Sequence, residues 1–230
     1  MTPSILPCST LEQEGSYTNV MQFGGVILCG GESTRMGTPK PWLPFGGETL
    51  LARVVQTLIA VVEPVVVVAT ADQKLPPLPE PVIVASDRAA GRGPLEGIAV
   101  GLWALADRAD AAFVCGCDAA LLSPGVVRYL SELLGDHDAV VPIVGGFRQT
   151  LASVCRTSAL PAIEALLAAD ERKAQRLFDR LATRFVQEDQ LRTVDPELMS
   201  VRTMNTPEEY LAALAAAGLS PTGDSIVRKP

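Results

Sequence analysis

The chain has 230 residues, 48% apolar and 20% charged, an ordinary globular balance that excludes wholesale disorder and is long enough for a sizeable core without disulfides or structural metal. Acids outnumber bases 26 to 19, so a nucleic-acid or anionic-membrane surface is not expected, although an anionic small molecule remains possible. His137 is the single histidine and lies in the polar stretch Gly135-Asp136-His137-Asp138, which removes most histidine-based metal and triad chemistry.

Residues 1–22 are polar and without periodicity and read as a flexible tail, with no basic leader because the first cation is Arg35. Val26-Ile27-Leu28-Cys29 is a buried strand candidate, Leu50 to Val61 an amphipathic helix, and Val65 to Ala69 a central strand covered on both faces. The proline-rich run Leu75 to Pro81 reads as a stiff connection. Then come a strand at Val82–Ala85, a helix at Leu95–Ala106, a strand at Ala111–Cys115, and a helix at Pro124–Leu134 with Ser123 as its N-cap. Strands at Ala139–Val144 and Thr150–Cys155 flank Gly145-Gly146, a helix follows over Ser158–Ala168, and Thr206-Pro207-Glu208-Glu209 opens the last helix with a capping box. Residues 219–230 read as a second tail, leaving 23–218 as one domain. The alternation predicts a mostly parallel sheet with helices on both faces, and ligands in such sheets bind beyond the carboxyl ends of the strands.

No run is long and apolar enough to span a bilayer, so a cytoplasmic protein is expected. The cysteines, Cys8, Cys29, Cys115, Cys117 and Cys155, form no C-x-x-C pair and read as buried free thiols in a reducing compartment.

Chemistry should therefore follow the strands. After the first comes Leu28-Cys29-Gly30-Gly31-Glu32-Ser33-Thr34-Arg35-Met36-Gly37-Thr38-Pro39-Lys40, where glycines permit close backbone approach and Arg35 and Lys40 add cations, the makings of a phosphate cradle. It is not a P-loop, since Gly37 is followed by Thr38, nor a dinucleotide fingerprint. After the third strand, Asp87 can accept hydrogen bonds from a ribose or base, and Gly93-Pro94 starts the next helix on the ligand side. Asp118, at the end of a buried strand, is placed to hold Mg²⁺, which takes one or two carboxylates plus phosphates and waters. Each of these clusters also has a plain structural reading as a turn, a capped loop or a solvated acid.

Together they resemble the molybdenum cofactor guanylyltransferase family, within a wider nucleotidyltransferase superfamily. The signature G-G-x-x-x-R-M-G-x-x-K is matched by Gly30, Gly31, Arg35, Met36, Gly37 and Lys40; G-P-L-x-G by Gly93-Pro94-Leu95-Glu96-Gly97; and the closing N-T-P-E-E by Asn205 to Glu209. Departures are Pro39 before the signature lysine, Ala119-Ala120 after the metal aspartate, Arg148-Gln149-Thr150 in place of His-Pro, Val68 and Thr70 where an asparagine faces the base, and Thr203 where an asparagine precedes the closing element.

The resemblance implies a three-layer α/β/α, Rossmann-like, nucleotide-diphospho-sugar transferase-like fold and GMP transfer from GTP to the phosphate of molybdopterin or molybdenum cofactor. Leu28, Cys29, Gly30, Gly31, Arg35, Lys40, Asp87, Gly93 and Asp118 would bind nucleotide; Arg35, Lys40 and Asp118 would be catalytic; Asp118 and Asn205 would hold Mg²⁺. Another NTP, cytidylyl transfer, a sugar or polyol phosphate acceptor, and a non-catalytic nucleotide-binding module are the alternatives. A monomer or weak homo-oligomer is expected. Candidate acceptor segments are Gly145-Gly146-Phe147-Arg148 and Arg172-Lys173-Ala174-Gln175-Arg176, the second also readable as a solvated helix face.

Overall fold

The computed structural model describes residues 21–30, 38–87 and 93–221. The predicted tails therefore lie almost wholly outside the described residues, as do Cys8, Gly31, Arg35, Met36 and Gly37.

Eight strands form the main sheet, seven of them in one path. β1 (Phe23–Leu28), β4 (Val65–Ala69), β5 (Val82–Ser86) and β6 (Ala111–Gly116) are mutually parallel, as are β7 (Ala139–Val144) and β10 (Thr183–Val186), while β9 (Ala152–Arg156) runs antiparallel between β6 and β7. The order is β10-β7-β9-β6-β1-β4-β5, with β8 (Phe147–Arg148) folded back on β7 and a separate hairpin of β2 (Pro44–Phe45) and β3 (Glu48–Thr49). A mixed, mostly parallel sheet is thus borne out.

The two-residue period of the strands sorts the core into two layers. Ile27, Val65, Val67, Phe113 and Cys115 face one side, where they meet α1 (Leu50–Ile59) and α3 (Pro124–Glu132). Val26, Val66, Val68, Ala112 and Val114 face the other, against α2 (Pro94–Leu105), α4 (Leu160–Ala168) and α5 (Ala174–Phe178). Helix α2 sits hard on the sheet: a Cβ at Gly101 would lie 2.3 Å from Val26 Cγ1. A third, smaller cluster joins β2, α1 and α7 (Pro207–Ala216) through Phe45, Leu50, Met204, Tyr210 and Leu214, and Leu219 packs against it. The Tyr210 hydroxyl donates to Pro44 O, and burial raises its pKa.

Several elements differ from the sequence reading. β1 ends at Leu28, so Cys29 already belongs to the connection. The β2–β3 hairpin turns on Gly46 and Gly47, both with positive φ. Strand β10 carries Thr183-Arg184-Phe185, half-buried at the sheet edge, and so lacks the apolar run that marked the inner strands. The basic stretch 172–176 becomes the two-residue approach and the start of α5, with Arg172, Lys173 and Arg176 exposed. A further short helix, α6, spans Glu188–Leu191. Cys29, Cys115, Cys117 and Cys155 are buried and free, as expected. Burial beside Asp138 pushes the Cys155 thiol up to about 12. His137, half-buried in the α3–β7 connection, has Nδ1 3.2 Å from Leu134 O.

Candidate active site

The parallel strands β1, β4, β5 and β6 all finish at one edge of the sheet, and their exits interlock. Cys117 N donates to Leu28 O at 2.9 Å and Cys29 N to Val68 O at 2.8 Å, so the strand pairing continues one residue past the strands. Gln73 then ties the β4 exit to the β1 exit: its Nε2 donates to Cys29 O at 3.0 Å, while its Oε1 accepts from Thr70 N at 3.2 Å. Nothing in the sequence marked Gln73, because a lone polar residue in a connection carries no pattern.

Asp118 leaves β6 through a tight turn in which Ala119 N donates to Gly116 O at 3.2 Å. The carboxylate folds back over the strand end, into space that a side chain at Gly116 would fill: a Cβ there would sit 2.4 Å from Asp118 Oδ1. Lys40 begins the 3₁₀ turn Lys40–Trp42 after Pro39, and its Nζ donates to Asp118 Oδ2 at 2.6 Å and to Asn205 Oδ1 at 2.8 Å. Only 17% of the lysine side chain and 13% of the aspartate side chain are exposed, so the pair is largely shielded from solvent screening. Three residues from the beginning, middle and end of the chain thereby meet at one point.

That meeting point fits a hard divalent cation. Two oxygens, one charged and one neutral, converge on a cation already, the Lys40 ammonium, and oxygen donors are what Mg²⁺ selects. Among the described residues no group of three His, Cys, Asp or Glu side chains forms a ready metal cage. Asp118 and Asn205 would thus leave most of an ion's positions to phosphate and water.

A Cβ at Gly30 would meet Asp87 Oδ2 at 3.3 Å, and one at Gly97 would meet Asp87 Oδ1 at 3.7 Å and Leu28 Cδ2 at 3.0 Å, so Leu28, Gly30, Gly97 and Asp87 adjoin one another. Asp87 Oδ1 is buried with no hydrogen-bond partner among the described residues, and burial, reinforced by the Glu96 carboxylate, raises the Asp87 pKa. Gly93 caps α2 with φ 75°, a conformation open to glycine, and its backbone abuts Arg172, whose O would be 3.0 Å from an added Cβ.

The two candidate acceptor segments come together. Arg148 Nη1 donates to Asp179 Oδ1 at 2.5 Å and to Gln175 O at 3.4 Å, and the guanidinium stacks 4.6 Å over the Phe185 ring. Glu188 Oε2 accepts from Gly145 N at 2.9 Å, pinning the turn that leaves Phe147 exposed.

Residues 25–185 match the family model of the MobA-like NTP transferase domain. The chain belongs to the MobA-like NTP transferase family. It is 38% identical over 201 residues to the "Probable molybdenum cofactor guanylyltransferase" of Mycolicibacterium paratuberculosis, covering 86% of this chain and 97% of that one. To the "Molybdenum cofactor guanylyltransferase" of Desulfosudis oleivorans it is 34% identical over 194 residues, covering 84% and 94%. In fold it resembles "Molybdopterin-guanine dinucleotide biosynthesis protein A" from Archaeoglobus fulgidus, with a TM-score of 0.69 at 22% identity, covering 85% of this chain and 98% of that one. It also resembles 2-C-methyl-D-erythritol 4-phosphate cytidylyltransferase from Thermus thermophilus, with a TM-score of 0.64 at 17% identity, covering 85% and 98%. The three-layer α/β/α expectation is thus met by the MobA-like fold. Arg35 and Gly31, which the family signature includes, lie outside the described residues.

Proposed function

We propose that this MobA-like chain transfers GMP from GTP to the phosphate of molybdopterin and releases pyrophosphate. The observation that carries the reading is the convergence of Asp118 Oδ2 and Asn205 Oδ1 on one cationic point at the carboxyl edge of the sheet, beside the glycine loop. The names of the relatives, which share over a third of their residues across nearly their whole length, supply the substrates.

An acceptor phosphate oxygen attacks the α-phosphorus, and the bond from that phosphorus to the pyrophosphate oxygen breaks. Such a reaction needs no covalent intermediate and no histidine; positioning and charge neutralisation carry it. Gly30 and Gly31 offer backbone N–H groups to the triphosphate, next to Leu28 and Cys29. Lys40 and Arg35 neutralise the phosphates and the departing pyrophosphate. Asp118 and Asn205 hold Mg²⁺, which when bound screens the triphosphate charge and fixes its orientation. Asp87, whose Oδ1 has no partner among the described residues, accepts hydrogen bonds from the nucleoside, and Gly93 lets the start of α2 come close. The acceptor lies toward the joined segments 145–148 and 172–176, since β7 is two strands from β6 and strands are about 4.8 Å apart. Four buried free thiols support a reducing, cytoplasmic setting.

The test is pyrophosphate release with GTP, CTP, ATP and UTP in the presence of Mg²⁺ and molybdopterin. Release with GTP and molybdopterin together is expected. Equal turnover with CTP overturns the guanine assignment, and binding of nucleotide without release overturns catalysis.

A further inference from the structure

The segment before α7 does more than start a helix. Met204 is 2% exposed and locked in the third core cluster. Its neighbours Thr203 and Asn205 are both exposed and are joined to each other. Asn205 Nδ2 donates to Thr203 Oγ1 at 3.1 Å, and the backbone N of Asn205 donates to Glu209 Oε2 at 2.6 Å. The same carboxylate oxygen accepts from Thr206 N at 3.2 Å as half of the α7 capping box, whose other half is Glu209 N donating to Thr206 Oγ1 at 3.2 Å. Asn205 is thus held at both ends, its backbone by Glu209 and its amide nitrogen by Thr203. The one side-chain polar atom left over, Oδ1, accepts from Lys40 Nζ, which also donates to the carboxylate of Asp118.

An ammonium has only donors, and a divalent cation likewise accepts only lone pairs, so either one requires the amide oxygen and not its nitrogen at this point. An untethered asparagine would have to be frozen out of its rotamers by the cation itself, at a cost in side-chain entropy. Tethering removes that cost beforehand. We propose that Thr203 is a positioning residue: by holding Asn205 Nδ2 it keeps Asn205 Oδ1 aimed at the cation point shared with Asp118, with Glu209 fixing the backbone beneath. Partners that orient a cation's ligands in this way typically contribute tenfold or more to its affinity. The inference rests on the metal-assisted reading above, and concerns which residue of this chain builds the site.

Mn²⁺ serves as the probe, titrated into the full chain with GTP present and no acceptor, and followed by electron paramagnetic resonance. The variants are Thr203→Val, Thr203→Ser and Asp118→Asn. Thr203→Val keeps the shape and loses the hydroxyl; because the residue is exposed, its thermal melting should match the unaltered chain. Its Mn²⁺ affinity should fall roughly tenfold, and the Mg²⁺ concentration for half-maximal pyrophosphate release should rise in parallel. Thr203→Ser should return both to within about twofold, since it restores the same acceptor oxygen. Unchanged Mn²⁺ binding in Thr203→Val, with binding still lost in Asp118→Asn, overturns the proposal alone. Unchanged binding in Asp118→Asn overturns the metal reading and this inference with it.

Discussion

Two carboxylates stand at the same edge of the sheet in opposite electrostatic circumstances. Asp118 is met by the Lys40 ammonium and, through it, by Asn205. Asp87, on the far side of Gly30, has one oxygen buried with no partner among the described residues, and the Glu96 carboxylate raises its pKa further. The first corner is internally compensated, because the Lys40 ammonium sits between the two oxygens. The second is incomplete, and a buried acceptor without a donor costs free energy until something supplies one.

Substitutions should separate the corners. The largest effect is expected at Asp118: Asp118→Asn should lower pyrophosphate release by about a thousandfold, in the upper range for loss of one charge-stabilising group. A loss no greater than that of Asp87→Asn would erase the distinction. Gly116→Ala places a Cβ 2.4 Å from Asp118 Oδ1 and must move the carboxylate; turnover should drop roughly a hundredfold while nucleotide binding is kept, because small misplacements of a reacting group are that costly.

Asp87→Asn should act on binding instead, raising the KM for GTP by about tenfold, the order expected for one charge-assisted hydrogen bond, with kcat little changed. The same substitution should stabilise the unliganded chain. Because the Asp87 pKa is raised in the folded state, its protonated form is favoured there below the unfolded pKa, and that contribution is lost as pH rises through the folded pKa. The gain in melting temperature from Asp87→Asn should therefore appear on raising the pH through the Asp87 transition and vanish in acid. A melting temperature that falls at neutral pH would mean the carboxylate is compensated after all.

The smallest effect concerns the platform under Asn205. Thr206→Ala removes the hydroxyl that accepts from Glu209 N at 3.2 Å, and should cost about 1 kcal/mol of stability, read as a lowering of a few degrees in thermal melting.

Much of the scaffold is visible in the residue pattern. The run of valines at 65–69 and the segment 139–144 are strands to the residue, because a strand covered on both faces must be continuously apolar. The capping residues Ser123 and Thr206, each followed by proline, mark their helix starts correctly, since those signals act within one turn. What escaped detection is half-buried or very short: edge strand β10, helix α6, and the hairpin on Gly46-Gly47. Of the site, Lys40, Asp87, Asp118 and Asn205 stand out as residue types at strand exits and in motifs. Gln73 does not, since its role consists entirely of two hydrogen bonds to distant backbone and its own connection.

Local sequence by itself therefore determines which segments become strands and helices, that the sheet is mostly parallel, and that chemistry belongs at the strand exits. Those features depend on periodicity, capping and glycine placement over a few residues. Tertiary structure alone decides that Lys40, 78 residues from Asp118 and 165 from Asn205, bonds to both, that Thr203 holds Asn205, and that Asp87 Oδ1 is buried with no donor among the described residues. A contact between residues so far apart is created by the packing of α7 and its approach against β2 and α1, and no property of any one segment encodes it.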